Sequence, residues 1–248
     1  MAHVLCVANQ KGGVGKTTTA VNVAAGLAMA GYQTLLVDLD PQCNATSGLG
    51  CQPSLSHGLL SKKALRKNIT KTSVHDLALL PGSRSFQDVE VLASGEPAAS
   101  ATIEEHLRSS TAAYEYVLID CPPSVGPLTQ TALSASSEVL MPIQCEYFAM
   151  EGLTQMIHAI RDVMQRPGSS LAFGGIVLTM HEPQLELTGE VESEVRDFFG
   201  EIVFDTVIPR DVTVSEAPSY GQPVLQYTPR SRGSWAYREL CLEVMDRE

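Results

Sequence analysis

Val4-Leu5-Cys6-Val7-Ala8-Asn9-Gln10-Lys11-Gly12-Gly13-Val14-Gly15-Lys16-Thr17-Thr18 is the stretch that decides the fold. Its first five residues are apolar and read as a buried strand. A glycine-rich turn follows, and a helix opens at Lys16. Strand, glycine turn and helix N-terminus in this order make a phosphate-binding loop. Glycines let backbone N–H groups converge on phosphate oxygens without a Cβ in the way. The helix N-terminus adds about half a positive charge. Lys16 offers a mobile cation to the β- and γ-phosphates, and the Thr17 hydroxyl can ligate Mg²⁺. The bland alternative is a βα turn that binds nothing. Two lysines and two threonines inside the right strand and helix weigh against it. The loop also departs from the general GxxxxGK(S/T) pattern. Gln10 stands where the first glycine would fall, and Lys11 is an added lysine.

Outward from this loop, apolar runs alternate with helical patterns. Strands are expected at 4–8, 34–39, 77–80, 116–119, 139–143 and 176–178. Helices are expected at 17–30, 85–94, 102–110, 127–136, 149–165, 187–200 and 230–246. The near-continuous Val/Ile/Leu content of the strands suits a parallel sheet covered on both faces. The predicted fold is therefore α/β, a doubly wound, mostly parallel sheet with helices on both faces. With no repeat, low-complexity tract or linker, residues 1–248 are expected to form one P-loop ATPase domain. Residues 51–75 are the least regular and are expected to be a surface excursion.

Composition narrows the function classes. The 248 residues carry a net charge of −11, with 44% hydrophobic and 18% charged side chains. Such a chain is globular, and it cannot coat nucleic acid or anionic membrane over its whole surface. Any such contact needs a local basic patch. The six cysteines show no CxxC pair and no zinc spacing, so they read as reduced thiols of a cytoplasmic protein. The uncharged run 17–37 is long enough to raise a membrane reading. Asn22, Gly26, Gly31, Tyr32, Gln33 and Thr34 interrupt it, and a buried helix followed by a buried strand accounts for it better.

Two acidic elements lie at strand ends. Tyr116-Val117-Leu118-Ile119-Asp120 is followed by Cys121-Pro122-Pro123, and Asp120 is placed to hold Mg²⁺ directly or through water. Val37-Asp38-Leu39-Asp40-Pro41-Gln42 offers two carboxylates two residues apart, which point to opposite sides on a strand. Pro41 permits a turn after Asp40. Asp40 is the better candidate to orient an attacking water, with a share in the metal site. Asp38 is the candidate to orient neighbours or link to the metal shell. The alternative for any lone strand-end Asp is a turn or helix cap.

These three elements together strongly resemble the ParA/MinD superfamily of deviant Walker ATPases. The later segments 144–152, Val207-Ile208-Pro209-Arg210, Ser215-Glu216-Ala217-Pro218-Ser219 and Ser231-Arg232-Gly233 look like the short chromosomal ParA type, often called Soj. The resemblance covers almost the whole chain. It implies an ATPase that forms an ATP-dependent sandwich homodimer with Mg²⁺, partitions plasmid or chromosomal DNA, and is stimulated by a ParB-like partner. Lys11 is similar to the signature lysine that reaches the partner's phosphates. Lys16 and Asp40 match catalytic positions. Gly12, Gly13, Val14, Gly15, Thr17 and Thr18 complete the loop. By the same resemblance Glu146 contacts the partner-side nucleotide, and Met180, Pro209, Arg210 and Asp211 line the adenine end. The metal set is Thr17, Asp40 and Asp120. No helix-turn-helix precedes the loop, so operator binding is not expected. The implied location is cytoplasmic, and nucleoid-associated if DNA binding is retained.

The chain departs from the family in its basic surface. Relatives tend to carry arginine where Gln184 and Thr213 stand. The helix expected at 187–200 holds Glu190, Glu192, Glu194 and Asp197 against Arg196. Affinity for DNA grows with the number of phosphates neutralised, and this surface would repel them. The other basic groups are Lys62, Lys63, Arg66, Lys67 and Lys71, and Arg230, Arg232 and Arg238. Two readings therefore stand: a DNA-partitioning ATPase, and a positioning ATPase for a protein cargo with weak or no DNA binding. Membrane positioning fits poorly, because the last helix sets Glu239, Glu243, Asp246 and Glu248 opposite its apolar stripe. Iron–sulfur chemistry lacks its cysteine pairs.

Overall fold

In the computed structural model the apolar run at the start of the chain forms strand β1 (His3–Val7), near the middle of one eight-stranded sheet. Residues 2–60, 65–85, 88, 91, 94, 105–107, 113–147 and 153–247 are described. The other strands are β2 (Thr34–Asp38), β3 (Thr70–Lys71), β4 (Leu77–Leu80), β5 (Tyr116–Asp120), β6 (Glu138–Gln144), β7 (Ala172–His181) and β8 (Val203–Pro209). Their order is β3-β4-β2-β5-β1-β6-β7-β8. Every pair is parallel except β3–β4.

The α-helices among the described residues are α1 (Lys16–Met29), α2 (Asn44–Gly48), α3 (Pro127–Ser134), α4 (Leu153–Met164), α5 (Glu186–Phe199), α6 (Val212–Glu216), α7 (Val224–Tyr227) and α8 (Arg232–Asp246). Alternate strand residues feed two cores. Leu5, Val7, Leu36 and Leu118 pack with α1 and α8 on one face. Val4, Cys6, Leu35, Val37, Val117 and Ile119 pack with α3, α4 and α5 on the other. Burial on both faces explains why these strands read as continuous apolar runs. The fold is the expected doubly wound α/β sheet.

Several elements escaped or exceeded the sequence reading. The strand expected at 176–178 runs from Ala172 to His181. Its first half contains Gly174 and Gly175, which break the apolar pattern. Gly175 has φ 153°, and a Cβ there would run into the Phe204 ring. Strand β8 carries Asp205 and Thr206 on a sheet edge, so it lacks a two-sided apolar signature. Residues 51–75 do not form a pure surface excursion. His57, Leu59 and Leu65 are buried, and Ser54 bridges to Ser83. The helices expected at 85–94 and 102–110 lie mostly outside the described residues, as do Lys62, Lys63 and the start of the helix expected at 149–165.

The C-terminal helix α8 docks its apolar stripe. Tyr237, Leu240, Cys241 and Val244 are all buried, against α1. Burying Leu240 and Val244 contributes about 1.5–3 kcal/mol each. Gly26 of α1 lets the helices meet, since a Cβ there would collide with Cys241 Sγ. No described helix is long and apolar enough to cross a membrane.

Candidate nucleotide site

The carboxyl ends of β1, β2 and β5 coincide. Val7 and Asp120 are register partners, and so are Asp38 and Asp120. In sheets of this kind ligands bind beyond the strand ends, where the connections diverge. The phosphate loop stands there, between β1 and α1. Gly13 and Gly15 have φ of 77° and 87°, left-handed values that favour glycine. The loop is fastened from both sides. Asn9 donates its amide Nδ2 to Pro142 O at 2.7 Å and accepts Lys11 N–H at 3.1 Å. The Thr179 hydroxyl donates to Val14 O at 2.9 Å, with Ile143 O at 3.2 Å. Sequence reasoning gave neither Asn9 nor Thr179 a role in the loop. Thr179 is a single polar residue between Leu178 and Met180, and that contrast was the available signal.

Lys16 is 6% exposed, and its ammonium donates to Lys11 O at 2.7 Å. Burial lowers its pKa, while Asp120 and Asp40 oppose that shift. Lys11 is more exposed and faces Glu146 at 3.5 Å. Exposed pairs of this kind contribute about 0–1 kcal/mol, so Lys11 is held lightly.

The three aspartates differ sharply. Asp120 is fully buried, and neither carboxylate oxygen makes a hydrogen bond of normal geometry. Burial and then the Asp38 charge push its pKa well above the usual carboxylate range, with the nearby Thr17 hydroxyl and Lys16 ammonium pulling the other way. Asp38 is buried too, yet it is fully engaged. It accepts Thr46 N–H at 2.8 Å, the Thr46 hydroxyl at 2.6 Å and Asp40 N–H at 3.2 Å. Burial raises its pKa to about 6. Asp40 lies just past β2 and accepts Gln42 N–H at 2.9 Å, while its carbonyl takes Cys43 N–H and closes the turn. The turn foreseen after Asp40 is present.

Three carboxylates around one buried ammonium leave a negative surplus in a region with little water. An unpaired buried carboxylate is costly, and a divalent cation would offset it. Thr17 beside Asp120 supplies the hydroxyl such an ion takes. Among the described residues no three His, Cys, Asp or Glu side chains form a closed metal cage. Mg²⁺ binds one or two protein groups and fills its shell with phosphate and water.

Gly15, Thr18, Met180, Pro209, Arg210 and Asp211, four of which the resemblance places at the adenine end, line one cavity of about 190 Å³. It adjoins the phosphate loop through Gly15 and Thr18, and it is smaller than the roughly 300–1,000 Å³ of a complete ligand site. Met180 holds φ 54°, an uncommon value for a residue with a Cβ. Arg210 pairs with Glu182 at 2.6 Å. The Asp211 carboxylate is committed elsewhere. It accepts Thr213 N–H, the Thr213 hydroxyl and Gly233 N–H, tying α6 to α8. Burial would raise its pKa, but those hydrogen bonds bring it below the usual value. A larger depression of about 620 Å³ around β3 lies at the N-terminal end of β4 and holds none of the loop residues.

Beneath Asp38 sits a polar frame the sequence did not announce. Thr46 accepts Gly82 N–H at 2.9 Å. His57 Nε2 lies 2.9 Å from Asp38 O, and its Nδ1 accepts Leu59 N–H at 3.3 Å. The Asp88 carboxylate takes His57 N–H and the Ser83 hydroxyl. Cys6 and Cys121 also meet, with sulfurs 3.4 Å apart in the core and both thiols free.

Residues 2–173 match a family described as AAA domain. The chain is 41% identical over 253 residues to the chromosome partitioning protein ParA of Myxococcus xanthus, covering all of this chain and 89% of that protein. It is 42% identical to the sporulation initiation inhibitor protein Soj of Bacillus subtilis, covering 98% of each. Among solved structures, cobyrinic acid a,c-diamide synthase from Mycobacterium smegmatis, with bound ADP and magnesium, superposes with a TM-score of 0.83 at 32% identity. That match covers 97% of this chain and 93% of the other. A strand-end phosphate loop with a second lysine, two acidic strand ends and full-length identity above 40% lead to one assignment: the chain belongs to the ParA/Soj family, within the ParA/MinD superfamily of ATPases.

Proposed function

We propose that residues 1–248 act as one Mg²⁺-dependent ATPase that works as a dimerising switch for partitioning or positioning cargo. The observation that carries this reading is the fully buried Asp120, unpaired beside Thr17 and Lys16 at the foot of the phosphate loop. Thr17 and Asp120, with Asp40 nearby, would hold Mg²⁺, which supplies charge neutralisation on the β- and γ-phosphates. Lys16 leaves Lys11 O and binds the same phosphates. Asp40 orients the attacking water. Met180, Pro209, Arg210 and the backbone around Asp211 border the base.

Lys11 gives the switch its trigger. Its pair with Glu146 is weak and partly exposed, so a second copy's phosphates can take the lysine over. Glu146 then faces the partner-side nucleotide. ATP joins two copies and hydrolysis separates them, and a ParB-like protein speeds the second step. In this reading the protein is cytoplasmic, and it sits on the nucleoid when it carries DNA. The experiment is phosphate release from ATP with Mg²⁺ and with EDTA. Release with Mg²⁺ alone supports the reading, and no release in either condition, with or without DNA and partner, refutes it.

A second reading is favoured by a specific observation. The outward residues of α5 are acidic, Gln184 contacts Glu182, and Thr213 is spent on the Asp211 cap. These positions offer DNA no cation, which supports a protein cargo. A gel shift with ATP at low and moderate salt separates the two: no ATP-dependent shift even at low salt removes the DNA reading.

A further inference from the structure

Helix α5 has a two-sided design. Its inner side buries Thr188, Val191 and Val195. The one basic residue of the helix also turns inward. Arg196 pairs with Glu192 at 2.9 Å and donates to Phe204 O and Asp205 O at 3.0 and 3.2 Å. Glu192 in turn meets His181 at 2.9 Å. Every charge on that side is therefore used to fasten α5 to β7 and β8.

The outer side is different. Glu186, Glu190, Glu194 and Asp197 are exposed at spacings of four, four and three residues, and Glu201 follows four residues later. Side chains three and four apart are neighbours on a helix, and like charges so placed destabilise it. Among the described residues, no cation pairs with these carboxylates. Beside the stripe, Phe198 is 71% exposed. Glu190, Ser193, Glu194, Asp197 and Phe198 together line an open groove of about 590 Å³. Acid alone is an ordinary solvated surface. An exposed aromatic ring set into it places an apolar contact beside the charges, and a binder with both opposite charge and an apolar group matches that combination.

We infer that the outer face of α5 docks a cationic, amphipathic segment of a partner protein, whose Lys/Arg side chains pair with this stripe and whose apolar residue covers Phe198. Helix α5 spans Glu186–Phe199, about 21 Å, which matches a partner helix of about 14 residues. Nucleic acid is excluded as the occupant by its like charge. This site lies apart from the nucleotide cradle, so it stands whether or not ATP is hydrolysed.

The test uses the full chain and a fluorescent 14-residue peptide of Lys, Leu and Ala with lysines at i,i+4 spacing, read by anisotropy at about 150 mM salt. E190Q/E194Q/D197N should weaken binding about tenfold, and F198A should weaken it measurably. D162N/E239Q/D246N, which removes the same charge from other exposed positions, should bind as the wild type does. Circular dichroism melts and ATP hydrolysis on all variants separate loss of docking from loss of fold or of the nucleotide reading. Equal weakening by the two charge variants reduces the effect to bulk charge and overturns the proposal. So does wild-type binding by E190Q/E194Q/D197N or by F198A, or a shift of a short DNA duplex by this face.

Discussion

Asp38, Asp40 and Asp120 at the strand ends and Glu186, Glu190, Glu194 and Asp197 on α5 are both clusters of carboxylates, yet they obey different physics. The first cluster is buried, so each charge must be matched by a hydrogen bond, by Lys16 or by a cation. Asp38 meets that demand internally through Thr46, and Asp120 does not. The second cluster faces water, where screening makes each charge cheap and each pair weak. The lesson is that charge count says little. What a carboxylate does follows from how much water it has lost and what the chain has placed beside it.

Changes in the buried cluster should therefore be large. Lys16→Ala removes its single ammonium and should weaken ATP binding at least about 100-fold, since a charged hydrogen bond and a charge balance are lost together. Titration with a fluorescent ATP analogue reads this, and an unchanged affinity breaks the comparison at its strongest point. Thr46→Val leaves Asp38 and Gly82 N–H each short of a partner. It should cost about 1–3 kcal/mol in urea unfolding.

Proton linkage adds a smaller effect. Burial holds the His57 pKa below 6.5, so the folded chain keeps this ring neutral. Its contribution to stability is present above the unfolded pKa and is lost as pH falls below about 6.5. The urea midpoint of the wild type should drop more between pH 7.5 and 5.5 than that of His57→Gln. Parallel drops would show that His57 is not the group involved.

The smallest expected change lies on the exposed side. Gly189 sits inside α5, and a Cβ there would meet nothing. Gly189→Ala should stabilise the protein by about 0.5–1 kcal/mol. Destabilisation would mean the outer face is more constrained than its exposure implies.

Much of this was legible in the sequence, for physical reasons. The loop from Asn9 to Thr18 combines residue types that few other structures require together. Strands buried on both faces announce themselves as apolar runs, as in β1, β2 and β5. The rest was hidden where a residue's role depends on a distant partner. Thr46 and His57 read as ordinary loop residues until Asp38 is placed above them. Thr179 matters only because β7 passes the phosphate loop. Strand β8 is an edge strand, and its open backbone groups are covered by Glu243, Arg196 and Arg247 rather than by a neighbouring strand. The acidic character of α5 was plain, but the inward turn of Arg196, which leaves the outer face purely acidic, was not.

The central claim is that the cradle is a switch joining two copies through ATP. The most direct test is size-exclusion chromatography with light scattering on Asp40→Ala, which should bind ATP but hydrolyse it slowly. The account predicts a dimer with Mg²⁺ and ATP, and a monomer with Mg²⁺ and ADP or without nucleotide. A monomer in all three conditions, with ATP demonstrably bound, would contradict it.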